Sequence, residues 1–463
     1  MAADVLNTVA AQLEVVLPEI QQIYEESDEL YGRVRRTAQV QQISRYLFRI
    51  PLMKGAGGNT QKVSGNGGTG GSLGHGTSMV LDYLLAGYFY SNTIFQLTEE
   101  QIDTSASQTQ SVVDVMSKQM SVGLREVQIM DDIAFHTTGT GILTNPSSAT
   151  TNSTNATMTF ASPTDTLNVN MLREYMCVDV WDSTGATQRV AGTGAPIIIT
   201  AIDYDAKVVT LNQTVTSLTT GDILAIRNLN VYGPSTLTTF NSTYPGTQGG
   251  APTGGIGGDS FRHGFPYMTD TNSANYFYGK LKSSVPQLNP VAVNANNNTL
   301  QWEHGLRIIS KIQQKRSKED WMALTGIAHM TQRASVFELG TSLSQKMFTE
   351  GNANFGTSFD NTPTNKGYTE EYMFAGIPCM LSKRQDRSRV DFINFNKLGR
   401  AQVRDIDYYK PGGQIIHPGR GSDGTLQTFV EWSWILAYDN VCFDNGAFGR
   451  ISSLAPPSQE WDA

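Results

Sequence analysis

Gly65-Asn66-Gly67-Gly68-Thr69-Gly70-Gly71 carries the letters of G-x-G-x-x-G, the loop that cradles dinucleotide phosphates. That chemistry needs an apolar strand running into the glycines, a helix opening after them, and an acid about 20 residues on for the ribose. The residues before the tract, NTQKVS, are polar, and SLGHGTSMV after it brings two more glycines where a helix would have to start. Each interior glycine costs a helix about 1 kcal/mol relative to alanine. Asp82 follows too soon to serve the ribose. The tract therefore reads as a flexible loop.

Other candidate chemistry is equally sparse. The histidines His75, His136, His263, His304, His329 and His417 are dispersed, with no H-E-x-x-H and no i, i+4 pair, so they read as surface or satisfied polar residues. The letters G-x-S-x-G occur at Gly70-Gly71-Ser72-Leu73-Gly74, but inside the glycine tract with no apolar strand leading in, so they do not read as a nucleophile elbow, and no G-x-x-x-x-G-K-[ST] loop is present. The carboxylate pairs Glu99–Glu100, Asp131–Asp132 and Glu370–Glu371 are sequence neighbours, which point apart and read as solvated faces. Cys177, Cys379 and Cys442 lie far apart without C-x-x-C spacing, which argues against a disulfide framework and a zinc cluster and for folding in a reduced, cytosolic setting. Two basic runs remain. Lys311, Lys315, Arg316 and Lys318 have the spacing of one exposed helix face, and Lys383, Arg384, Arg387 and Arg389 fall in a turn between strands. Neither has the interleaved aromatics of a nucleic-acid site. No residue is assigned a catalytic, cofactor-binding or metal-binding role, and no cofactor is expected.

The 463 residues, 39% hydrophobic, suffice for a large core in two or three lobes. A net charge of -8 and a pI of about 5.3 leave no global basic field to hold nucleic acid or an anionic membrane. The N-terminus MAADVLNTVAAQLEVVLPEI lacks the basic start of a signal peptide. The richest apolar run, MVLDYLLAGYFYSNTIF, is broken by Asp82, so no membrane span is expected.

These residues must be positioned by elements of contrasting texture. Residues 1–49 read as an N-terminal arm: Leu6, Val9, Leu13, Val16, Ile20, Ile23 and Leu30 lie near helical spacing, interrupted at Pro18, and every charge before Arg33 is acidic. Residues 50–102 read as an extended loop, a hairpin of strand-like runs around a tract in which ten of the 22 residues from Gly55 to Gly76 are glycine. Residues 103–149 open with the strongest helix in the chain. Val112, Met116, Met120, Leu124, Val127, Met130 and Ala134 follow at steps of three and four up to Gly139, a rod on the order of 50 Å. Residues 150–255 read as a small all-β insertion with polar, flexible flanks, its strands turning at Asp203-Tyr204-Asp205 and Gly221-Asp222. Residues 256–463 are mixed. TLQWEHGLRIISKIQQKR spells an amphipathic helix through Leu300, Leu306, Ile309 and Ile312, HMTQRASVFELGTSLSQKMF a second, and strands are expected in FAGIPCMLSK, RVDFINFN, GGQIIHPG and TLQTFVEWSWILAYDNVCF.

Arm, glycine-tipped hairpin, long helix and closing α/β lobe come in an order that resembles the major capsid proteins of tailed bacteriophages, the Hong Kong 97 fold family. LREVQIMDDIAFHTTGTGIL looks like the end of that family's spine helix, and MTDTNSANYFYGKLKSSVPQLNP like the segment that re-enters the main body after an insertion. The resemblance spans nearly the whole chain as an order of parts. It implies an α+β fold with arm, extended loop, spine helix, peripheral and axial domains, here with an added all-β domain. It further implies a protein that is not an enzyme and that self-assembles, through hexameric and pentameric capsomers, into an icosahedral head enclosing double-stranded DNA without sequence-specific binding. A separate scaffolding protein, a portal and a cement or decoration protein are the implied partners, and assembly in the host cytoplasm and residence in the virion the implied location. In that setting the two basic runs would soften repulsion from packed DNA or pair with acids on a neighbouring subunit. Some family members join an extended-loop lysine to an asparagine of another subunit; Lys54 and Lys62 are the lysines in the matching segment, and non-covalent reinforcement is the expectation here. The alternatives are an encapsulin-like shell that holds cargo protein, and a soluble α/β enzyme or binding module.

Overall fold

The structure, a computed structural model, describes residues 30, 34, 41–44, 47–55, 78–98, 126–139, 141–144, 148–151, 156–159, 169–182, 187–189, 196–204, 206–219, 222–227, 261–273, 275–278, 280–332, 335, 372–410, 417–420 and 426–455. The acidic arm before Leu30, the glycine tract beyond Gly55, the first part of the expected rod and most of the second late helix lie outside these residues. The strands β1 (Gln41–Ser44), β2 (Leu47–Gly55), β3 (Val80–Ala86) and β4 (Phe89–Thr98) come first. The helices α1 (residues 126–135), α2 (Phe265–Met268), α3 (Trp302–Lys315) and α4 (Lys318–Met322) follow. The fold is of mixed helices and strands, in two units: residues 1–33, 88–133 and 402–438, and residues 34–87, 134–401 and 439–463.

In the larger unit, six strands form a sheet in the order Val291–Asn294, Gly449–Ser452, Val390–Asn394, Leu324–Ala328, Ile377–Leu381, Tyr372–Phe374. The first two run parallel, as do Leu324–Ala328 and Ile377–Leu381, while the other neighbours are antiparallel. α3 covers this sheet with Ile308 and Ile312, both fully buried against Val291, Val293, Phe392 and Ile451. Close seating depends on Gly305, whose added Cβ would stand 2.6 Å from the Ala375 side chain and 2.8 Å from the Phe374 ring. The expected apolar face of α3 needs correcting. Leu306 is half exposed, and the buried side runs through His304, Gly305, Ile308 and Ile312. A leucine two residues before Ile308 lies about 200° from it around the helix and cannot share its face.

The β-rich block forms an eight-stranded sheet. Its path runs Ile142–Thr144, Ile223–Ile226, Cys177–Trp181, Ile197–Asp203, Val208–Leu211, Ala156–Thr159, Ser148–Thr151, with Gln188–Arg189 beside Cys177–Trp181. β-Branched alternation in IIITAID and VVTL places Ile197, Ile199, Ile202, Val209 and Leu211 inside. Arg189 forks onto both oxygens of Asp222 at 3.1 Å and holds the edge hairpin to the turn that opens Ile223–Ile226.

In the smaller unit, β4 pairs antiparallel with Leu426–Cys442 from Thr98–Phe429 to Phe89–Tyr438. The apolar run MVLDYLLAGYFYSNTIF thus holds two strands: it divides at Gly87–Tyr88, β3 pairing with β2 and β4 with a strand more than 300 residues away. Val127 of α1 packs on Leu436, Tyr438 and Trp434 of the long strand. Asp131 and Asp132, expected on a solvated face, are both fully buried. Every residue from Asp131 to Thr137 is buried, so neighbours that point apart on this helix both point inward to protein.

Candidate assembly interface

The β2–β3 hairpin has two faces of opposite character. Phe48 and Ala86, then Ile50 and Leu84, stand opposite each other on one face at its root and are buried. Pro51 and Tyr83, then Met53 and Leu81, form the other face, and Met79, Val80, Leu81 and Met53 are 53–68% exposed. Isolated exposed apolar residues are ordinary, but a contiguous group at the outer end of one hairpin marks a contact surface.

The hairpin is bracketed as well as packed, by ion pairs beside Leu81 and by hydrogen bonds at the root. Asp82 sits between two ammonium groups, 2.6 Å from Lys54 Nζ and 2.8 Å from Lys280 Nζ, and its carboxyl is held well below the usual carboxylate range by Lys280 and then Lys54. Arg49 stacks over the Tyr83 ring at 4.1 Å. The Leu85 N–H donates to Tyr278 O at 3.0 Å. Tyr278 has a positive φ of 43°, a conformation that costs a bulky residue energy and is retained where its surroundings fix it. Its own N–H donates to Tyr267 Oη at 2.7 Å and its hydroxyl to Asn440 O at 2.6 Å. Asn440 Nδ2 donates in turn to His263 O, while Asp439 receives His263 Nδ1 at 2.7 Å and the His263 N–H at 3.0 Å. The hairpin is thus tied to a buried polar node. Asp82→Asn removes both ion pairs and is expected to loosen the root by about 1–2 kcal/mol, read as faster amide exchange at Leu84 and Leu85; unchanged exchange would show the bracket to be idle. The roles of Asp82 and Tyr278 were not legible in the sequence, because Lys280 and Asn440, which complete the bracket, lie about 200 and 160 residues from them.

A serine–histidine pair also emerges that spacing did not show. Gln385 Nε2 donates to Asp391 Oδ2 at 2.8 Å, which fixes its amide and turns Oε1 to His136 Nδ1 at 3.0 Å. His136 therefore carries its proton on Nδ1 and accepts from Ser382 Oγ at Nε2, 3.0 Å away. The connection is that of a hydrolase triad. Ser382 and His136 are only 2% and 3% exposed, however, and Ser382 Oγ also accepts the Arg384 N–H, so no substrate reaches the hydroxyl. Thr269 Oγ1 and Arg389 Nε complete the set on Asp391. The group fastens the residues after α1 to α2 and to the turn at 382–389. Burial first, then the charges of Arg384 and Arg389, push the His136 imidazole down to about 3.

Two further histidines are engaged as well: His304 Nδ1 accepts the Gln301 N–H at the start of α3, and His329 lies 3.2 Å from Asn170 Nδ2. His417 lies on a strand and His75 outside the described residues. Of the first basic run, Arg316 leaves the expected open face and forks onto Asp444 at 2.6 and 2.7 Å. In the second, Arg384 is buried in the turn. Among the described residues no cluster of His, Cys, Asp and Glu is placed to hold a metal, and no helix is long and apolar enough to cross a membrane.

No protein-family model matches the chain, and no curated protein does. Solved structures do. The capsid asymmetric unit of cyanophage A-1(L) is 11% identical with a TM-score of 0.47, over 95% of this chain and 96% of that one. The capsid of a native GTA particle is 9% identical with a TM-score of 0.43, over 95% and 94%. The mature capsid asymmetric unit of bacteriophage PhiM1 is 9% identical with a TM-score of 0.41, over 94% and 90%.

Proposed function

We propose that the chain is the major capsid protein of a tailed double-stranded DNA bacteriophage, of the Hong Kong 97 type, and that it acts by building the head shell rather than by catalysis. The observation that carries the reading is the β2–β3 hairpin, rigidly tied at its root and apolar at its outer end. Such a surface is what a subunit needs to overlap a copy of itself. In this reading the hairpin is the extended loop and α1 the end of the spine helix. The unit built on β4 and Leu426–Cys442 is the peripheral domain, and the six-stranded sheet with α3 the axial domain. The eight-stranded sheet is the insertion, and because it recruits Ile142–Thr144 we start it there. Hexamers and pentamers would close around the genome with a separate scaffolding protein, a portal and a cement protein. Assembly would take place in the host cytoplasm.

The test is assembly of the purified chain, with and without a scaffolding partner, viewed by negative-stain microscopy. Shells or capsomers are expected, and Met53→Glu/Leu81→Glu should reduce shell yield by about tenfold or more while leaving the subunit's circular dichroism unchanged, because buried like charges oppose the contact. Shells forming equally well from the double variant would remove the hairpin from the interface. A wild-type chain that stays monomeric under every condition would end the proposal.

A further inference from the structure

α3 carries Glu303, Arg307, Lys311 and Lys315 at successive steps of four, so they form one row along its exposed side. Glu303 pairs with Arg307. Among the described residues no carboxylate pairs with Lys311 or Lys315. Each donates instead to a backbone carbonyl, Lys311 Nζ to Ala292 O at 2.8 Å and Lys315 Nζ to Asn289 O at 3.1 Å. Asp444, at the end of the helix, is committed to Arg316. The Lys315 ammonium is pushed below its usual value, first by partial burial and then by Arg316 and Lys311, as expected for cations crowded without an anion. Held by carbonyls, the two lysines keep their other donors directed to solvent at a fixed separation, which lowers the ordering cost of a partner. Leu306, 50% exposed, borders the row.

We propose that this row docks the N-terminal segment of a second copy of the chain, an interaction that rests on the shell reading above. Residues 1–32 hold seven carboxylates and no lysine or arginine, with Glu25, Glu26 and Glu29 grouped near the end. Ile20 and Ile23 recur at helical spacing after Pro18, where a proline can open a helix, so a helix formed there has an apolar side for Leu306 beside its acids for the lysines. Charge and apolar pattern match together, which phosphate backbone would not require. The docked arm would link α3 of one subunit to its neighbour without covalent chemistry.

The experiment uses particles assembled from a mixture of unlabelled and ¹⁵N-labelled chains and treated with a zero-length carbodiimide. The reagent joins a carboxylate carbon to a lysine Nζ as an amide and takes up the water lost as its urea. Peptides joining Glu19, Glu25, Glu26 or Glu29 to Lys311 or Lys315, with mixed isotopes, are expected. Lys311→Glu alone should lower the yield of peptides through Lys315 about threefold, the factor one surface ion pair is worth, and Lys311→Glu/Lys315→Glu, which removes both reacting amines, should abolish them. Adding Glu25→Lys/Glu26→Lys should restore the crosslink with its polarity reversed. Raising salt to about 0.5 M before crosslinking should weaken it, since the screening length falls below the usual ~10 Å. Joined peptides of one isotope only, or lysines of the row coupled elsewhere, overturn the docking. So does a Lys311→Glu variant that loses binding of a short DNA duplex while keeping the arm crosslinks through Lys315 in full, which would identify a phosphate site. Particles that form normally yet yield no such amide refute the docking alone; a chain that never assembles refutes the shell and the docking with it.

Discussion

Gly264→Ala is expected to leave little or no soluble protein, the largest effect of any single methyl group in the described fold. A Cβ at Gly264 would overlap the carbonyl oxygens of Ala134, Phe135 and Thr137, all backbone atoms where α1 ends. A flexible side chain would swing away, but these carbonyls are held. Thr137 donates twice to Ala134 O, and His136 between them is fastened by Ser382 and Gln385. Phe135 stacks on Phe265, the next residue after Gly264, at 5.4 Å. Relief would require moving α1 and α2 apart, at a cost of more than about 4 kcal/mol. Gly376→Ala is the control: φ is +80° there and no atom lies within 4 Å of an added Cβ, so only backbone strain of about 1–2 kcal/mol is expected. Soluble yield and the denaturant midpoint compare the two. A Gly264→Ala subunit as stable as the Gly376→Ala one would refute the close approach.

Acid should destabilise the subunit through His136, which the fold holds neutral. Its folded value of about 3 lies below the ordinary 6.5, so the unfolded chain binds the extra proton first. The contribution is complete above pH 6.5, is lost as pH falls from 6.5 towards 3, and is constant below that. The slope is about 1.4 kcal/mol per pH unit, giving a loss of roughly 2 kcal/mol by pH 5. Denaturant unfolding at pH 7 and pH 5 measures it. His136→Asn should cost stability at pH 7 through lost hydrogen bonds yet flatten the fall between the two pH values. A variant that loses stability with pH as steeply as the parent would place the acid sensitivity elsewhere.

Legibility in the sequence followed the range of the interactions. The strands Ile377–Leu381, Val390–Asn394 and Leu426–Cys442 fall where local pattern placed them, because apolar and β-branched patterning acts over a few positions. α3 was legible as a helix, and Leu300, Ile309 and Ile312 as its inward side, but Leu306 was misplaced and Ile308 missed. Gly305 has no side chain to count in a periodicity, yet its bareness brings the helix onto Phe374 and Ala375 and so selects Ile308 over Leu306. The buried Asp131 and Asp132 were misread for a related reason: adjacent carboxylates look solvated unless the helix is enclosed on every side. The His136 group joins residues 249 positions apart, and no spacing rule reaches that far. The hairpin was visible as a hairpin, whereas its bracket depends on Lys280 and Tyr278, supplied from beyond the whole β-rich block.

Gly449–Ser452 is the second strand of the six, flanked on one side by Val291–Asn294 and on the other by Val390–Asn394. On the ribosome, Val291–Asn294 emerges more than 150 codons before the strand it must lie beside. At ~5–20 residues per second, a nascent chain spends roughly 8 to 30 s being made with that slot empty. Parallel pairing across such a separation forms slowly even once the chain is free, since the loop must close before the contact rewards it. Throughout that time Val291, Val293 and the apolar side of α3 have no settled partner. Completion of the core thus waits on a strand made long after its parallel neighbour, and the exposure of Val291 and Val293 lasts as long as that wait.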